Sequence, residues 1–196
     1  MRHFYINFLL ISGFLVAAGF ISVPAQTSSS ISEVAYRLNL EQETFTLIND
    51  YRKVHRLPLL HWDGTIAEVA RGHSREMATG DVDFGHDGFS DRVAQLRTTM
   101  IDLRGAGENV LKTDDPNQIA CHAVEVWLHS PHHLENIRGD FNYSGMGVWA
   151  DEQGMIYFTQ IFVKTAPRAI TAQAETAPQV STPFGMLTEP KTGTQP

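Results

Sequence analysis

The sequence predicts an α+β domain, because segments with helical periodicity come first and β-rich segments come last. Apolar residues recur at helical spacing from about residue 40 to residue 79, and again between residues 115 and 137. Two short β-rich runs, SGMGVWA and MIYFTQIFV, then follow, and the letters DEQG between them are typical of a hairpin turn. These three observations predict helices packed against an antiparallel sheet.

The first helices are predicted from their start signals. Asn39 can cap a helix, with Gln42 at the position of a capping box. A second helix is predicted from Asp63 to Thr79, where one face carries most of the apolar side chains. A short third helix is predicted to begin at residues 90–93. All three are expected to pack with their apolar stripes on the sheet.

Later start signals place two more helices and one strand. Asp115 is followed by a proline, and an acidic cap before proline is a strong helix start. Ser130 and Pro131 repeat this arrangement and open a last short helix that runs to Ile137. A strand is predicted at residues 106–110, ahead of the fourth helix.

Composition excludes several classes of protein. The chain has 196 residues, a formal net charge of −7 and no run of lysine or arginine. Such a chain does not suit nucleic-acid binding through phosphate neutralisation, and anionic membrane surfaces are disfavoured for the same reason. Cys121 is the single cysteine, so no intrachain disulfide can form. Its helical spacing with apolar neighbours predicts a buried structural thiol, and the domain is expected to be a monomer.

The N-terminal segment, residues 1–25, has the composition of an export signal. A short basic start precedes an apolar stretch, and small residues lie before a cleavage site after Ala25. The apolar stretch is near the length that spans a bilayer, so an uncleaved anchor is the alternative. Export without disulfides indicates a bacterial protein that is secreted, periplasmic or held in the cell envelope.

The rest of the chain is predicted to have three parts. Residues 26–39 are rich in serine and are expected to form a linker. Residues 40–164 contain the predicted helices and strands and form the folded domain. Residues 165–196 are rich in proline, threonine, alanine and glutamine, and this composition predicts a disordered tail.

Three segments place an acid or an imidazole in an unusual local sequence. They are FGH with His86, AGEN with Glu108, and WLHSPHH with His129, His132 and His133. Adjacent helical residues point about 100° apart, so the three clustered histidines do not suit a compact metal site. One of them, His133, is predicted to face inward, whereas the other two face solvent. Two imidazoles and a carboxylate from separate elements can then converge on one cleft.

Six stretches, in order along residues 40–164, carry a family resemblance. They are LINDYRKVHRLPLLHWDGTIAEVARGHSREMA, FGHDGFSDR, GAGENV, AVEVWLHSPHHLENI, FNYSGMGVWA and YFTQIFV. The chain resembles the CAP superfamily, which comprises cysteine-rich secretory proteins, antigen 5 and pathogenesis-related proteins and whose domain is also called the SCP domain. It is similar to the compact bacterial type, without the cysteines of the eukaryotic members.

The resemblance implies an α-β-α sandwich and a shallow cleft that bears two histidines and two glutamates. Matched residue by residue, the first histidine falls on His86, the first glutamate on Glu108 and the second histidine on His133. The position of the second glutamate is occupied by Ser130. The tetrad is therefore incomplete, so the resemblance does not imply chemistry that needs both carboxylates.

Three uses of a cleft formed by His86, Glu108, Ser130 and His133 stay open. Its two histidines could bind Zn²⁺, with water completing the coordination. Glu108 could serve as the catalytic base of a metal-assisted hydrolase acting on peptide or cell-wall material. The resemblance implies recognition of an envelope component, a lipid or a protein. Because neither HExxH nor GxSxG is present, we expect a non-enzymatic binding or regulatory module, with the hydrolase as the alternative.

Overall fold

The computed structural model of the protein describes residues 26–115 and 117–166. These residues form five helices and four strands. In chain order they are α1 (Gln26–Val54), β1 (His61–Trp62), α2 (Gly64–Thr79), α3 (Phe89–Thr99), β2 (Leu103–Thr113), α4 (Ile119–His129), α5 (Pro131–Arg138), β3 (Tyr143–Ala150) and β4 (Ile156–Thr165). The predicted α+β class is confirmed. The predicted export signal and the tail beyond residue 166 lie outside the described residues.

The strands form one sheet in the order β1-β3-β4-β2. β3 and β4 form the predicted antiparallel hairpin, and β2 pairs antiparallel with the other side of β4. β2 is longer than the predicted strand at residues 106–110. The two-residue strand β1 runs parallel to β3, so the sheet is mixed rather than purely antiparallel. β2 is an edge strand, and this position exposes one of its sides to the helices that build the site.

Helices cover both faces of the sheet and give the expected α-β-α sandwich. On one face, α2 and α3 bury Ile66 and Leu96 against β4 residues such as Ile161. On the other face, α1, α4 and α5 surround a larger core that contains Trp127 and Phe158. The side chains of successive β4 residues point alternately into these two cores, as the pleat of a strand requires.

α2 lies unusually close to β3 because two strand residues that face it are glycines. A Cβ atom on Gly145 would overlap with the backbone of Ala67, and one on Gly147 would overlap with the backbone of Ala70. The short separation also lets the Ser74 hydroxyl donate to the Gly147 carbonyl oxygen at 2.9 Å. The spacing S-G-M-G-V in β3 therefore determines how α2 is seated.

α1 begins earlier than its sequence predicts. It starts at Gln26, so residues 26–39 are helical and do not form the predicted linker, and Asn39 lies inside the helix rather than capping it. Within this extension, Arg37 forms an ion pair with Glu33 at 3.0 Å and places its guanidinium 3.8 Å from the ring centroid of Trp149. Such contacts stabilise a helical extension whose large apolar side chains, including Ile31 and Val34, stay exposed rather than entering the core. The serine-rich composition did not reveal them.

α4 begins later than predicted. The Asp115 carboxylate accepts the backbone N–H of Asn117 at 2.9 Å, which closes a turn, and the helix starts only at Ile119. Cys121 is exposed rather than buried. The buried stripe of α4 passes through Ala120, and the next residue lies about 100° away around the helix, outside that stripe.

The domain ends with β4, one residue beyond the predicted boundary. Thr165 is the last strand residue, and its backbone N–H donates to Asn142 Oδ1 at 2.9 Å. Asn142 in turn donates to the Thr165 hydroxyl at 2.9 Å. Over residues 26–115 and 117–166, no helix is long and apolar enough to cross a bilayer.

Candidate functional site

The candidate site is built along the outer edge of β2. Two carbonyl groups on this edge are bound by the helices that follow. Trp127 Nε1 of α4 donates to the Val110 oxygen at 3.2 Å, and Asn136 Nδ2 of α5 donates to the Glu108 oxygen at 3.0 Å. An uncovered strand edge would leave these carbonyls without partners, so the two side chains fix α4 and α5 beside the strand.

Glu108 lies in the middle of β2, and its side chain is only 1% exposed. Arg92 of α3 donates twice to this carboxylate, from Nε to Oε2 at 2.8 Å and from Nη2 to Oε1 at 2.7 Å. His86 Nδ1 donates to Oε1 at 2.9 Å. A two-point contact between guanidinium and carboxylate is among the strong hydrogen-bonded pairs in proteins. Both oxygens of Glu108 are therefore engaged within the protein.

Arg92 also holds the loop that carries His86. Its Nη1 donates to the Asp87 carbonyl oxygen at 2.8 Å, and its Nη2 lies 3.4 Å from the His86 carbonyl oxygen. The sequence reasoning missed this arginine. A signal was available, because Arg92 precedes the buried Leu96 by four residues and so shares its face of α3.

The side chain of His86 is 51% exposed. A carboxylate only accepts hydrogen bonds, so Nδ1 carries the N–H that donates to Glu108, and Nε2 is the second nitrogen of the ring. No described residue bonds to this Nε2 atom. His73 of α2 holds the loop that carries His86, because its Nε2 donates to the Gly85 carbonyl oxygen at 2.9 Å.

His133 approaches the same edge from α5. Its carbonyl oxygen accepts from Asn109 Nδ2 at 3.1 Å, and its ring centroid lies 6.4 Å from that of Trp127. Nδ1 is buried, and within the described part of the chain it has no hydrogen-bond partner. Burial lowers the pKa of His133, and charge on His86 or His132 lowers it further. At neutral pH this ring is therefore uncharged.

The structure places the predicted site residues as follows. His86 and Glu108 are in direct contact, and charge on His86 adds to the lowering of the His133 pKa by burial. Ser130 occupies the cap position of α5 without a side-chain cap bond, and among the described residues its side chain forms no hydrogen bond to the other three. In the described ranges, no group of three histidine, cysteine, aspartate or glutamate side chains is arranged to hold a metal ion. The elements around β2 thus provide two imidazoles and one engaged carboxylate.

His132 and His129 form no hydrogen bond with His86 or Glu108 among the described residues. Both are exposed, as their positions on the helices predict. His129 Nδ1 lies 2.8 Å from the Glu125 carbonyl oxygen of its own helix. Of the three clustered histidines, only His133 contributes to the candidate site.

The support beneath the His86 loop gives a prediction about pH. His73 is 1% exposed, and burial lowers its pKa from 6.5, although the bond to Gly85 opposes this shift. Below about pH 6.5 the unfolded chain therefore binds a proton before the folded protein does, and stability falls as the pH decreases. We expect this residue to lower the free energy of unfolding by up to about 1.4 kcal/mol per pH unit in that range.

Urea unfolding between pH 7.5 and pH 5 measures this effect, with His73→Gln as the matched variant. Glutamine keeps an N–H donor for the Gly85 carbonyl but does not titrate. The variant should show a smaller loss of stability on acidification than the parent protein. An equal loss in both would mean that His73 is not the source of the acid sensitivity.

Comparison with known proteins decides the family. The model of the cysteine-rich secretory protein family, CAP, matches residues 45–162, which is most of the folded domain and more than half of the chain. The chain belongs to the CAP family. This agrees with the sandwich architecture and with the six ordered sequence stretches.

Several relatives of this CAP domain are bacterial. The uncharacterized membrane protein YlbC of Bacillus subtilis strain 168 is 34% identical over 130 residues, which are 63% of this chain and 34% of YlbC. An extracellular protein with an SCP domain from Bacillus anthracis strain Ames is 30% identical with a TM-score of 0.53, covering 66% of this chain and 41% of that one. An outer surface protein from Borrelia burgdorferi, 19% identical, has a TM-score of 0.53 over 62% of this chain and 90% of its own, and shares the fold. The chain spans about a third of the length of YlbC.

Proposed function

We propose that this CAP domain is a non-enzymatic binding or regulatory module that is exported to the bacterial envelope or the extracellular space. Its binding surface is the cleft beside the edge of β2, lined by His86, Glu108 and His133, with Ser130 at its margin. The ligand belongs to the envelope, as a lipid, a protein or another envelope component. The name of the Bacillus anthracis relative, an extracellular protein, supports export, and so does the apolar N-terminal segment.

The observation that carries this proposal is the engagement of Glu108. A general base must reach the water that it deprotonates with a free lone pair, at about 2.6–3.2 Å. Both oxygens of this carboxylate are already bound by Arg92 and His86, and the side chain is almost fully buried. A second carboxylate is absent from the matched position, where Ser130 stands. The cleft is therefore better suited to holding a ligand than to activating water.

A divalent metal ion such as Zn²⁺ fits the cleft only as a weakly held ligand. The orphaned Nδ1 of His133 and the free Nε2 of His86 are the two nitrogens that would hold it. Structural zinc sites use four protein ligands, and catalytic sites use three. Glu108 would have to leave Arg92 to become a third ligand. We therefore propose a two-nitrogen site completed by water, which would help to recognise an anionic or carbonyl-bearing ligand.

Calorimetry of Zn²⁺ binding tests this assignment. We expect a dissociation constant above about 1 µM, which corresponds to less than about 8 kcal/mol of binding free energy. Replacing either ligand, in His86→Ala or in His133→Ala, should weaken binding at least tenfold, or about 1.4 kcal/mol. His132→Ala is the matched control, because it removes an exposed imidazole next to His133 and should leave the affinity unchanged. An affinity in His86→Ala equal to that of the parent protein, and above all micromolar or tighter binding that persists in this variant, would contradict the assignment.

The same zinc-loaded samples separate binding from hydrolysis. They are assayed for cleavage of peptides and muramyl peptides beside Glu108→Gln, which removes the carboxylate but keeps the size of the side chain. We expect no turnover above background in either protein. Turnover in the parent protein that is abolished in Glu108→Gln would overturn the non-enzymatic proposal in favour of a metal-assisted hydrolase.

A further inference from the structure

The outer edge of β2 is covered only along part of its length. The side chains of Asn136 and Trp127 donate to the carbonyl oxygens of Glu108 and Val110, respectively. Glu108 and Val110 therefore direct their backbone groups away from β4. In an antiparallel strand every second residue directs both its N–H and its C=O to the same side. The register of β2 with β4 is unbroken from residue 106 onward, so Ala106 presents both groups at this edge as well. No side chain or loop of the described residues binds them.

A groove runs beside this open stretch of edge. Its volume is about 350 Å³, and its walls are Ala106 on one side and α3 on the other. Phe89 and Val93, four residues apart on α3, give the groove an apolar wall, and Ala94 keeps it wide. An open strand edge next to an apolar groove is the arrangement that peptide-binding domains use when an extended peptide adds a strand to a sheet.

The charges around the groove define the kind of peptide. Arg97 lines the groove, and Arg104 lies at the β2 bulge two residues before Ala106. Both arginines are exposed, and neither forms an ion pair with a described residue. Lys164 pairs with Gly105 on the neighbouring strand β4, and its ammonium group already forms an ion pair with Asp140 at 2.6 Å. Two unpaired guanidinium groups at this corner of an acidic protein favour an acidic ligand.

We propose that this edge groove, lined by Phe89, Val93, Arg97 and Ala106 and preceded in β2 by Arg104, binds an extended acidic peptide segment of a partner protein by strand addition. The backbone of the peptide exchanges two hydrogen bonds with Ala106. One of its apolar side chains enters the groove against Phe89 and Val93, and acidic side chains at either end meet the two arginines. This proposal does not depend on the cleft function, because neither His86 nor His133 lines the groove.

The test uses two pools of fluorescein-labelled nonapeptides that alternate valine and threonine. One pool carries an aspartate near each end, and the other carries lysines at those two positions. Fluorescence anisotropy should show saturable binding of the aspartate pool, and the lysine pool should bind at least tenfold more weakly. The double variant Arg97→Gln/Arg104→Gln should reduce the affinity for the aspartate pool at least tenfold. Arg56→Gln, which removes an exposed arginine just before β1 at the opposite edge of the sheet, should not.

A second variant tests the strand addition itself. Ala106→Pro removes the edge N–H, and proline is tolerated where the N–H of an edge strand faces solvent. This variant should keep the circular dichroism spectrum of the parent and lose binding of the aspartate pool. Three outcomes would overturn the proposal. The first is equal binding of both pools, and the second is no binding up to millimolar peptide. The third is undiminished binding of the aspartate pool by both the arginine variant and the proline variant. Concentration-dependent dimerisation, measured by sedimentation, that Ala106→Pro abolishes would also overturn it, because a second copy would then occupy the edge.

Discussion

Replacing Arg92 by methionine is expected to lower the free energy of unfolding by about 3–5 kcal/mol, the usual cost of removing one partner from a buried ion pair. The Glu108 carboxylate is almost fully buried and would keep only His86 as a side-chain partner. The variant would also release the Asp87 carbonyl that Arg92 binds at the start of α3. Chemical denaturation of the parent and the variant, at one pH, measures the difference.

A matched control lies on the same helix. Arg97→Met makes the same chemical change five residues further along α3, at an exposed position with no ion pair among the described residues. Its free energy of unfolding should stay within about 0.5 kcal/mol of the parent value. If Arg92→Met lowered the free energy of unfolding no more than Arg97→Met, the ion pair between Arg92 and Glu108 would not stabilise the protein in solution.

A double-mutant cycle identifies the source of the cost. When Glu108→Met is added to Arg92→Met, the uncompensated buried carboxylate disappears, and part of the lost stability should return. We expect a coupling free energy of about 1–3 kcal/mol between the two positions. Additive effects would show instead that Arg92 stabilises the protein mainly through the carbonyl groups of the His86 loop.

The sequence predicted the elements whose signals are local. The cap of α2 at Asp63, the turn between β3 and β4, and the proline that opens α5 at Pro131 each lie within a few residues of what they specify. The errors concern features that depend on distant partners. The helical segment 26–39 is stabilised partly by Arg37 on Trp149, more than a hundred residues away, and no local pattern announces such a contact.

The same distinction applies to the candidate site. His86 and Glu108 were identified by the family resemblance, and their contact at 2.9 Å joins a loop to a strand 22 residues later. Arg92 was not predicted because an arginine in a helix is usually exposed. Its shared face with Leu96 indicates burial, but its contact with Glu108 depends on the approach of α3 to β2. The orientation of His133 could be inferred from the turn at Ser130, whereas the orphaned Nδ1 atom depends on packing around Trp127 that the sequence does not specify.

The added methyl group in Gly147→Ala is expected to lower the free energy of unfolding by about 3 kcal/mol or more. This loss is at the upper end of the range for an overpacked core. The new Cβ would overlap with backbone atoms of Ala70 and Arg71, and backbone cannot rotate away as the end of a side chain can. α2 would have to separate from β3, which breaks the hydrogen bond between Ser74 and the Gly147 carbonyl. Thermal and urea unfolding measure the loss of stability.

Gly72→Ala adds the same methyl group within α2, where no atom lies within 4 Å of the new Cβ. Because alanine favours a helix over glycine, this control should stabilise the protein by about 0.5–1 kcal/mol. Similar effects of the two substitutions would mean that α2 is not seated on β3 as described. A shift of α2 would also move His73, which holds the loop of His86 through Gly85. In Gly147→Ala the ring resonances of His86 should therefore change, although His86 lies on a different element, whereas Gly72→Ala should leave them unaltered.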